Sequence, residues 1–404
     1  MRVLMLLRNP FTRDARVLRE ARSAIQAGHE VTILCLQAGD LPKDDLVDRI
    51  RVVRGVRTGR WAGPTITGTA GRASASSAGE ADGHSRIGIR PPRGLIATGI
   101  LARDLWLDRA FVRAASRLPM PELVHAHDLN TLAAGAAVAN HSRAHLVYDA
   151  HELYPDLTGL TKLERRAWRA VEARYISHAQ ATIVPTAARG QILVERYGIP
   201  EPTVVMNCPD PPAQIQPDPR IVELRRGDER LLIYAGGFTP NRGLEALVSA
   251  MADLTGARLV MLGWGPIEDQ LRQLAQPAGD RVVFAGSVEP DGVVNAAAAA
   301  DIGIVSYEPV GLNNELAAPN KLFEYMHAGL AICASDLPDI ARIVRGEKLG
   351  EVFRPGDASD MKQALARLIG ADLGPLKERS SKLAGNFTWD GQAKELLGVY
   401  ERLA

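Results

Sequence analysis

The sequence predicts an α/β fold of two domains, each built on a parallel sheet, from three observations. A length of 404 residues exceeds one ordinary domain and suits two of roughly 100–200 residues. Short apolar runs alternate with helical periodicity, the pattern of strands covered on both faces by crossover helices. A proline-dense stretch, NCPDPPAQIQPDPR at 207–220, interrupts that alternation midway. Proline has no N–H to donate and cannot continue a helix interior or a central strand, so the chain divides there.

Taken in order, the runs at 3–7, 31–36, 123–126, 146–148 and 181–185 predict the strands of the first domain. Between the first two, segment 14–27 places Ala15, Leu18 and Ile25 on one face, and AGHEV supplies a glycine stop, so the chain opens with a βαβ unit. The runs at 231–235, 259–262, 282–285, 302–305 and 331–334 predict a second sheet, with helices at 243–254, 267–275 and 321–328. The expected organisation is a first domain at 1–206, a linker at 207–230, a second domain at 231–390 and a terminal helix at 391–404. That helix carries Ala393, Leu396, Leu397 and Tyr400 on one side, which must dock on a neighbour. Residues 60–94, rich in Gly, Ser and Ala, predict a mobile surface loop.

Composition excludes several classes. With 46% hydrophobic and 24% charged residues the chain is neither disordered nor fibrous, and a net charge of +1 gives no support to a nucleic-acid binder. Cys35, Cys208 and Cys333 are odd in number and far apart, which leaves no disulfide framework or metal knuckle and suggests a reducing, cytoplasmic setting. MRVLMLL is too short for a secretory leader, since Arg8, Arg13 and Asp14 follow it. No run reaches the length that spans a bilayer.

The missing motifs narrow the chemistry further. No Gly-Lys pair exists for a P-loop, and GGFTPNRG and GWGPIE lack the three-glycine dinucleotide spacing. Neither Gly-x-Ser-x-Gly nor His-Glu-x-x-His occurs. Without an Asp-x-Asp, the simplest carboxylate pair for a metal on a diphosphate is absent, so no metal is expected and phosphate falls to cations and helix N-termini.

Four segments supply such groups. In ELAAPNKLFEYMHAGLAICAS, Pro319 and Asn320 open a helix with Lys321 in its first turn and Glu324 three residues on. This is an anion site with a carboxylate for sugar hydroxyls, or else an amphipathic helix with an internal ion pair. YAGGFTPNRGLEAL is a strand, a turn open to close backbone approach at Gly236 and Gly237, and a helix start with Arg242; the plain alternative is a routine turn with a solvated arginine. VHAHDLNTL places His125 and His127 on one face of a strand end with Asp128 next, and YDAHELYPD adds Asp149, His151 and Glu152 at the following strand end. Two such clusters at consecutive strand ends predict a functional cleft. Finally, residues 161–178 carry Lys162, Arg165, Arg166, Arg169 and Arg174 with Trp168 and Tyr175, which reads either as a basic amphipathic helix for an anionic membrane surface or as a solvated helix.

Together these strings resemble the retaining, family-four (group 1) glycosyltransferases of the GT-B fold, over nearly the whole chain. TRDARVLREARSAIQAGHEVTIL is similar to the family's first βαβ unit, and PNKLFEYMHAGLAICAS to its donor-nucleotide motif. The resemblance implies two facing Rossmann-like domains, the second binding a nucleotide-diphosphate sugar as co-substrate and the first a sugar, lipid-linked or small-molecule acceptor, with the last helix crossing back to the first domain. It implies ribose hydroxyls on Glu324, diphosphate on Arg242 and Lys321, the base edge on Ser287 and Val288, and His127 near the transferred sugar. Gly236, Gly237, Gly263, Asn320 and Leu322 complete the donor side; Asn9, Arg13, His125, Asp128, His151 and Glu152 form the acceptor side. The first carboxylate of the family's Glu-x7-Glu pair would fall on Leu316, with Glu315 one residue earlier. Implied chemistry is metal-independent transfer with retention in polysaccharide, glycolipid or glycoconjugate synthesis, with a nucleotide-sugar epimerase or a non-catalytic sugar-nucleotide-binding subunit as alternatives.

Overall fold

The computed structural model describes residues 1–12, 14–57 and 93–404, with backbone alone over 93–102. Arg13 and the loop expected at 60–94, save its last two residues, lie outside the described residues. In β1 (Arg2–Leu7) every side chain from Val3 onward is buried, as a strand covered on both faces requires. It lies at the centre of an eight-stranded sheet with β2 (Glu30–Leu36), β3 (Asp44–Val47), β4 (Ile50–Val56), β5 (Leu123–His127), β6 (His145–Asp149), β7 (Ala181–Val184) and β8 (Thr203–Val204), in the order β3-β4-β2-β1-β5-β6-β7-β8. The apolar runs locate five of these strands. They miss the β3–β4 hairpin, which is antiparallel and departs from the all-parallel expectation. Its strand β4 buries Ile50, Val52 and Val56 while Arg51 and Gly55 face out, so period 2 replaces a continuous run. Asp48 and Arg49 both take positive φ, 51° and 68°, the type I′ geometry that suits a two-residue hairpin even without glycine.

The helix Ala15–Gln26 starts where the Asp14 side chain accepts the Val17 N–H, and Gly28 follows its end at φ 87°. Its inward face differs from the expected one. Arg16, Val17, Glu20, Ala21, Ser23 and Ala24 are buried, whereas Ala15, Leu18 and Ile25 are half-buried. Burying a charged pair on a core stripe is tolerable only with partners, and the partners lie on the sheet.

The second sheet contains β9 (Arg230–Ala235), β10 (Ala257–Leu262), β11 (Val282–Phe284), β12 (Ile302–Val305), β13 (Ala331–Ser335) and β14 (Gly350–Phe353), in the order β11-β10-β9-β12-β13-β14 and parallel throughout. One apolar layer holds Leu232, Tyr234, Phe238 and Met261, the other Ile233, Val260, Phe323 and Tyr325. The chain divides into one unit of Met1–Val204 with Leu396–Ala404 and another of Val205–Glu395. The proline-dense segment packs within the latter: Cys208 and Ile221 belong to its core, and Asp218 caps a short helix, Pro219–Val222. The terminal helix Trp389–Glu401 buries Ala393, Leu396, Val399 and Tyr400, with Leu397 half-buried, so Val399 takes the place expected for Leu397. Each sheet reverses its strand order once beside its central strand, at β1/β5 and at β9/β12, where α/β sheets bind ligands beyond the carboxyl ends of their strands.

Candidate functional site

At the carboxyl ends of β5 and β6 the parallel register sets His125 opposite Val147 and His127 opposite Asp149. His125 and His127, two apart on one face, stack with ring centroids 4.2 Å apart. The inward pair of the first helix reaches them: Arg16 contacts Glu20 at 2.9 Å and grips Asp149 at 3.0 Å. His125 Nδ1 lies 2.7 Å from the Tyr400 hydroxyl, His127 Nδ1 lies 3.2 Å from His151 Nε2, and that same Nε2 lies 3.3 Å from Asp149. The result is a buried column running from Tyr400 through His125, Asp149 and His127 to His151.

The charges in this column are assigned by burial and neighbours. Burial would raise Asp149, but Arg16 and His151 outweigh it and keep the carboxylate ionised, well below its usual range. Burial and then Asp149 push Glu20 up to about 8 against the pull of Arg16, so Glu20 holds a proton at neutral pH. Burial opposes a charge on His151, yet Asp128 and Asp149 push its pKa up to about 10. Burial, followed by the two neighbouring histidines, holds His127 well below its ordinary value, so its ring is neutral. Glu20, His125, His127 and Asp149 have the donor types of a metal centre, with ligand atoms within 4.8 Å of one another. Arg16 already supplies the positive charge between their two carboxylates.

The acceptor-side expectations separate accordingly. His151, Asp128 and Glu152 cluster at the strand ends; burial and Glu152 push Asp128 up to about 6 against the pull of His151. Asp128 takes φ 63° before the helix Leu129–Ser142 without capping it, a strained backbone held by its N–H bond to Asp149 O at 2.8 Å. His125 is a correction: it lies two residues, about 7 Å, below the strand end, fully buried against Tyr400. Asn9 is a second, because its side chain accepts from Phe11 N–H and donates to Asp14, shaping the turn. His127 is 1% exposed, with Nε2 unpartnered among the described residues.

In the second unit, the turns after β9 and β10 lie backbone to backbone. A Cβ on Gly263 would fall 2.0 Å from Gly236 O, and one on Gly265 2.2 Å from Phe238 O, so only glycine fits. Gly236 and Gly237 are exposed at the strand end. A Cβ on Gly236 would sit 3.1 Å from Lys321 Nζ. Lys321, 8% exposed, projects from the first turn of the helix Asn320–His327 over the ring of Tyr234, 3.6 Å from its centroid. Arg242 lies over Tyr307 at 4.1 Å, and Lys321 is 5.7 Å from that same ring. Ser287 is exposed after β11, with Val288 half-buried beside it, and Glu324 is half-buried on the lysine's helix. The structure thus gathers Gly236, Gly237, Arg242, Lys321 and Asn320 at one strand end, beside Gly263.

One donor-side expectation does not fit. Leu322 has its side chain in the core and its N–H donates to Pro319 O at 3.0 Å, so it has neither to offer. Glu315, expected in place of the first paired carboxylate, ends a short helix, Leu312–Glu315, and is half-buried. Sequence reasoning missed Arg16, Glu20, Tyr400, Tyr234 and Tyr307. Charged residues four apart on an otherwise apolar helical stripe were the available signal for the first two.

The basic segment forms the helix Lys162–Tyr175, with a Thr161/Glu164 capping box. Arg165 and Arg169 reach Asp156 at 2.9 and 3.1 Å, and Trp168 packs edge-on to Tyr154, so part of its basic face is structural. Lys162, Leu163 and Arg166 remain exposed. Among the described residues no helix is long and apolar enough to cross a membrane.

Comparison with known proteins places this geometry. Residues 15–211 match the family model for glycosyltransferase family 4, and residues 229–371 that for glycosyl transferases group 1. The sulfoquinovosyl transferase of Arabidopsis thaliana is 26% identical over 264 residues, 62% of this chain and 50% of that protein. The phosphatidyl-myo-inositol mannosyltransferase of Mycolicibacterium smegmatis is 25% identical over 185 residues, 43% of this chain and 46% of that protein. The chain thus spans about half the length of the curated relatives it matches. Among solved structures, sucrose-phosphate synthase from Thermosynechococcus elongatus superposes with a TM-score of 0.74 at 18% identity, covering 100% of this chain and 99% of that one. The Anabaena protein HepE, in complex with UDP-glucose, gives 0.67 at 16% identity with 100% of both chains covered. At such identities the likeness is one of fold.

Proposed function

The chain belongs to the group 1, family-four glycosyltransferases with the GT-B fold, and from that membership we propose that it transfers a sugar from a nucleoside-diphosphate sugar to an acceptor hydroxyl, with retention and without a metal. The observation that carries the proposal is the pair Lys321 and Arg242, set over tyrosine rings beside a glycine turn, neither in an ion pair among the described residues. Such a pair favours a dianion that brings its own negative charge.

In this reading the diphosphate meets Lys321, Arg242 and the first-turn N–H groups of Asn320 and Lys321, which have no intrahelical acceptor. Glu324 accepts from the ribose hydroxyls, and the backbone at Ser287 and Val288 meets the base edge. As the glycosidic bond breaks, charge grows on the leaving phosphate, and the fixed cations stabilise it. The acceptor oxygen attacks from the face the phosphate leaves, and its proton passes to a phosphate oxygen. No protein base is needed. His127, neutral and held through Nδ1, offers Nε2 to the transferred sugar as a polar contact.

Names of relatives favour a lipid-borne acceptor, since one is a phosphatidyl-myo-inositol mannosyltransferase. The exposed Lys162, Leu163 and Arg166 suit contact with an anionic membrane surface that carries it. The test is a thermal-shift screen against UDP-, GDP-, ADP- and dTDP-sugars with and without EDTA, followed by product analysis with and without acceptor. One donor class should stabilise the protein equally in EDTA and yield a glycosylated product only with acceptor. An altered free sugar nucleotide formed without acceptor indicates an epimerase, and binding without turnover across acceptors a non-catalytic subunit. Either outcome overturns the transferase reading.

A further inference from the structure

Four buried arginines sit against carboxylates, Arg8 with Asp104, Arg16 with Asp149, Arg54 with Asp45 and Arg258 with Glu229, and a fifth, Arg189, donates to the His151 carbonyl. Lys321 is as buried as these, yet among the described residues it makes neither an ion pair nor a hydrogen bond. Four groups face it. Tyr234 from β9 lies under its Nζ at 3.6 Å, and Tyr307 beyond β12 lies 5.7 Å away. Arg242, over the other part of the pair at 4.1 Å from Tyr307, adds a like charge, and Glu324 three residues along the same helix adds an opposite one. An amine on so buried a side chain has lost part of its hydration, and the groups nearest it are ring faces, which replace a carboxylate poorly.

We propose that binding of a nucleoside diphosphate here is accompanied by uptake of one proton from solvent onto Lys321 Nζ, with Tyr234 and Tyr307 as the residues that position the two nitrogen groups for it. The proposal rests on the donor site described above and deepens it. Burial first, and Arg242 second, hold Lys321 well below its ordinary value against the pull of Glu324, so the empty site disfavours the ammonium. A diphosphate arriving within reach reverses the balance: its charge offsets Arg242 and favours the ammonium, so the proton and the anion bind together. The tyrosine rings let the amine stay in place in either state, since they demand no charge from it. Gly236 is part of the arrangement, because a Cβ there would meet Nζ at 3.1 Å and push it off the ring.

The experiment is calorimetric titration of the full chain with UDP, GDP and ADP at a pH of about 8, well above a phosphate's second pKa of about 6, so that the nucleotide itself exchanges almost no proton. Repeating it in buffers of different ionisation heat gives the number of protons exchanged. Wild type is expected to take up close to one proton with the nucleotide it binds, and its affinity to fall nearly tenfold per pH unit above that point. Lys321→Met is expected to bind more weakly with no buffer dependence. Tyr307→Leu, at a half-buried position that spares the core, should weaken binding about tenfold while Tyr307→Phe restores it. Nucleotide binding by wild type with no proton uptake overturns this proposal and leaves the donor site standing. Equal affinity of Tyr307→Leu and wild type overturns the positioning role. Binding of none of the three nucleotides overturns the donor-site reading and this proposal with it.

Discussion

Arg16, beneath the strand ends of the first sheet, lies between two carboxylates, 2.9 Å from Glu20 and 3.0 Å from Asp149; Lys321, at the strand ends of the second, lies over a tyrosine ring. Both side chains are buried, but among the described residues only the first is paired with carboxylates. The histidine column therefore spends its electrostatics on holding side chains still, and the cation pair keeps its own for a ligand. A buried charge with a full set of partners is a structural device, and one without them is a site.

The largest expected effect breaks the first half of this comparison. Arg16→Leu leaves two carboxyl groups buried side by side with only His151 to supply positive charge, and should destabilise the chain by about 3–5 kcal/mol in urea unfolding. Lys321→Met should leave the urea midpoint unchanged or raised, because no partner loses its charge, while nucleotide affinity or turnover falls on the order of a hundredfold. Equal stability losses in the two variants would erase the distinction.

The two regions should also respond oppositely to pH. Glu20 keeps a proton up to about 8 in the folded chain but releases it near 4.5 when unfolded, and His151 keeps one to about 10 instead of 6.5. Between pH 6.5 and 8 the folded column thus holds more protons than the unfolded chain, and its contribution to stability falls as pH rises. Lys321 is depressed from 10.5, so it holds fewer protons folded than unfolded and its contribution rises with pH. Urea midpoints between pH 6.5 and 8 should fall less steeply for Glu20→Gln than for wild type, and as pH rises toward 10.5 they should fall more steeply for Lys321→Met than for wild type. The smallest effect is Tyr400→Phe, which removes the 2.7 Å bond to His125 and should cost about 1 kcal/mol in the same assay.

Much of this was legible along the chain. Strands buried on both faces announce themselves as continuous apolar runs, which is why β1 and β9 were found and the half-exposed β4 was not. Glycines and cations at one turn, Gly236, Gly237 and Arg242, are local chemistry and were read as such. Tyr234 and Tyr307 look like ordinary core and loop aromatics in sequence, since nothing local records that two cations lie over them. Tyr400 is 275 residues from the histidine it touches.

The sequence alone determined the two sheets, the proline-dense break and the strand ends where chemistry could gather, because apolar periodicity and proline act through neighbouring residues. Which charges are neutralised and which are left open was decided only by the tertiary structure. Pairing depends on groups brought within a few ångströms from distant parts of the chain: Arg16 to Asp149 across 133 residues, and Lys321 to the ring of Tyr234, with no ion pair among the described residues.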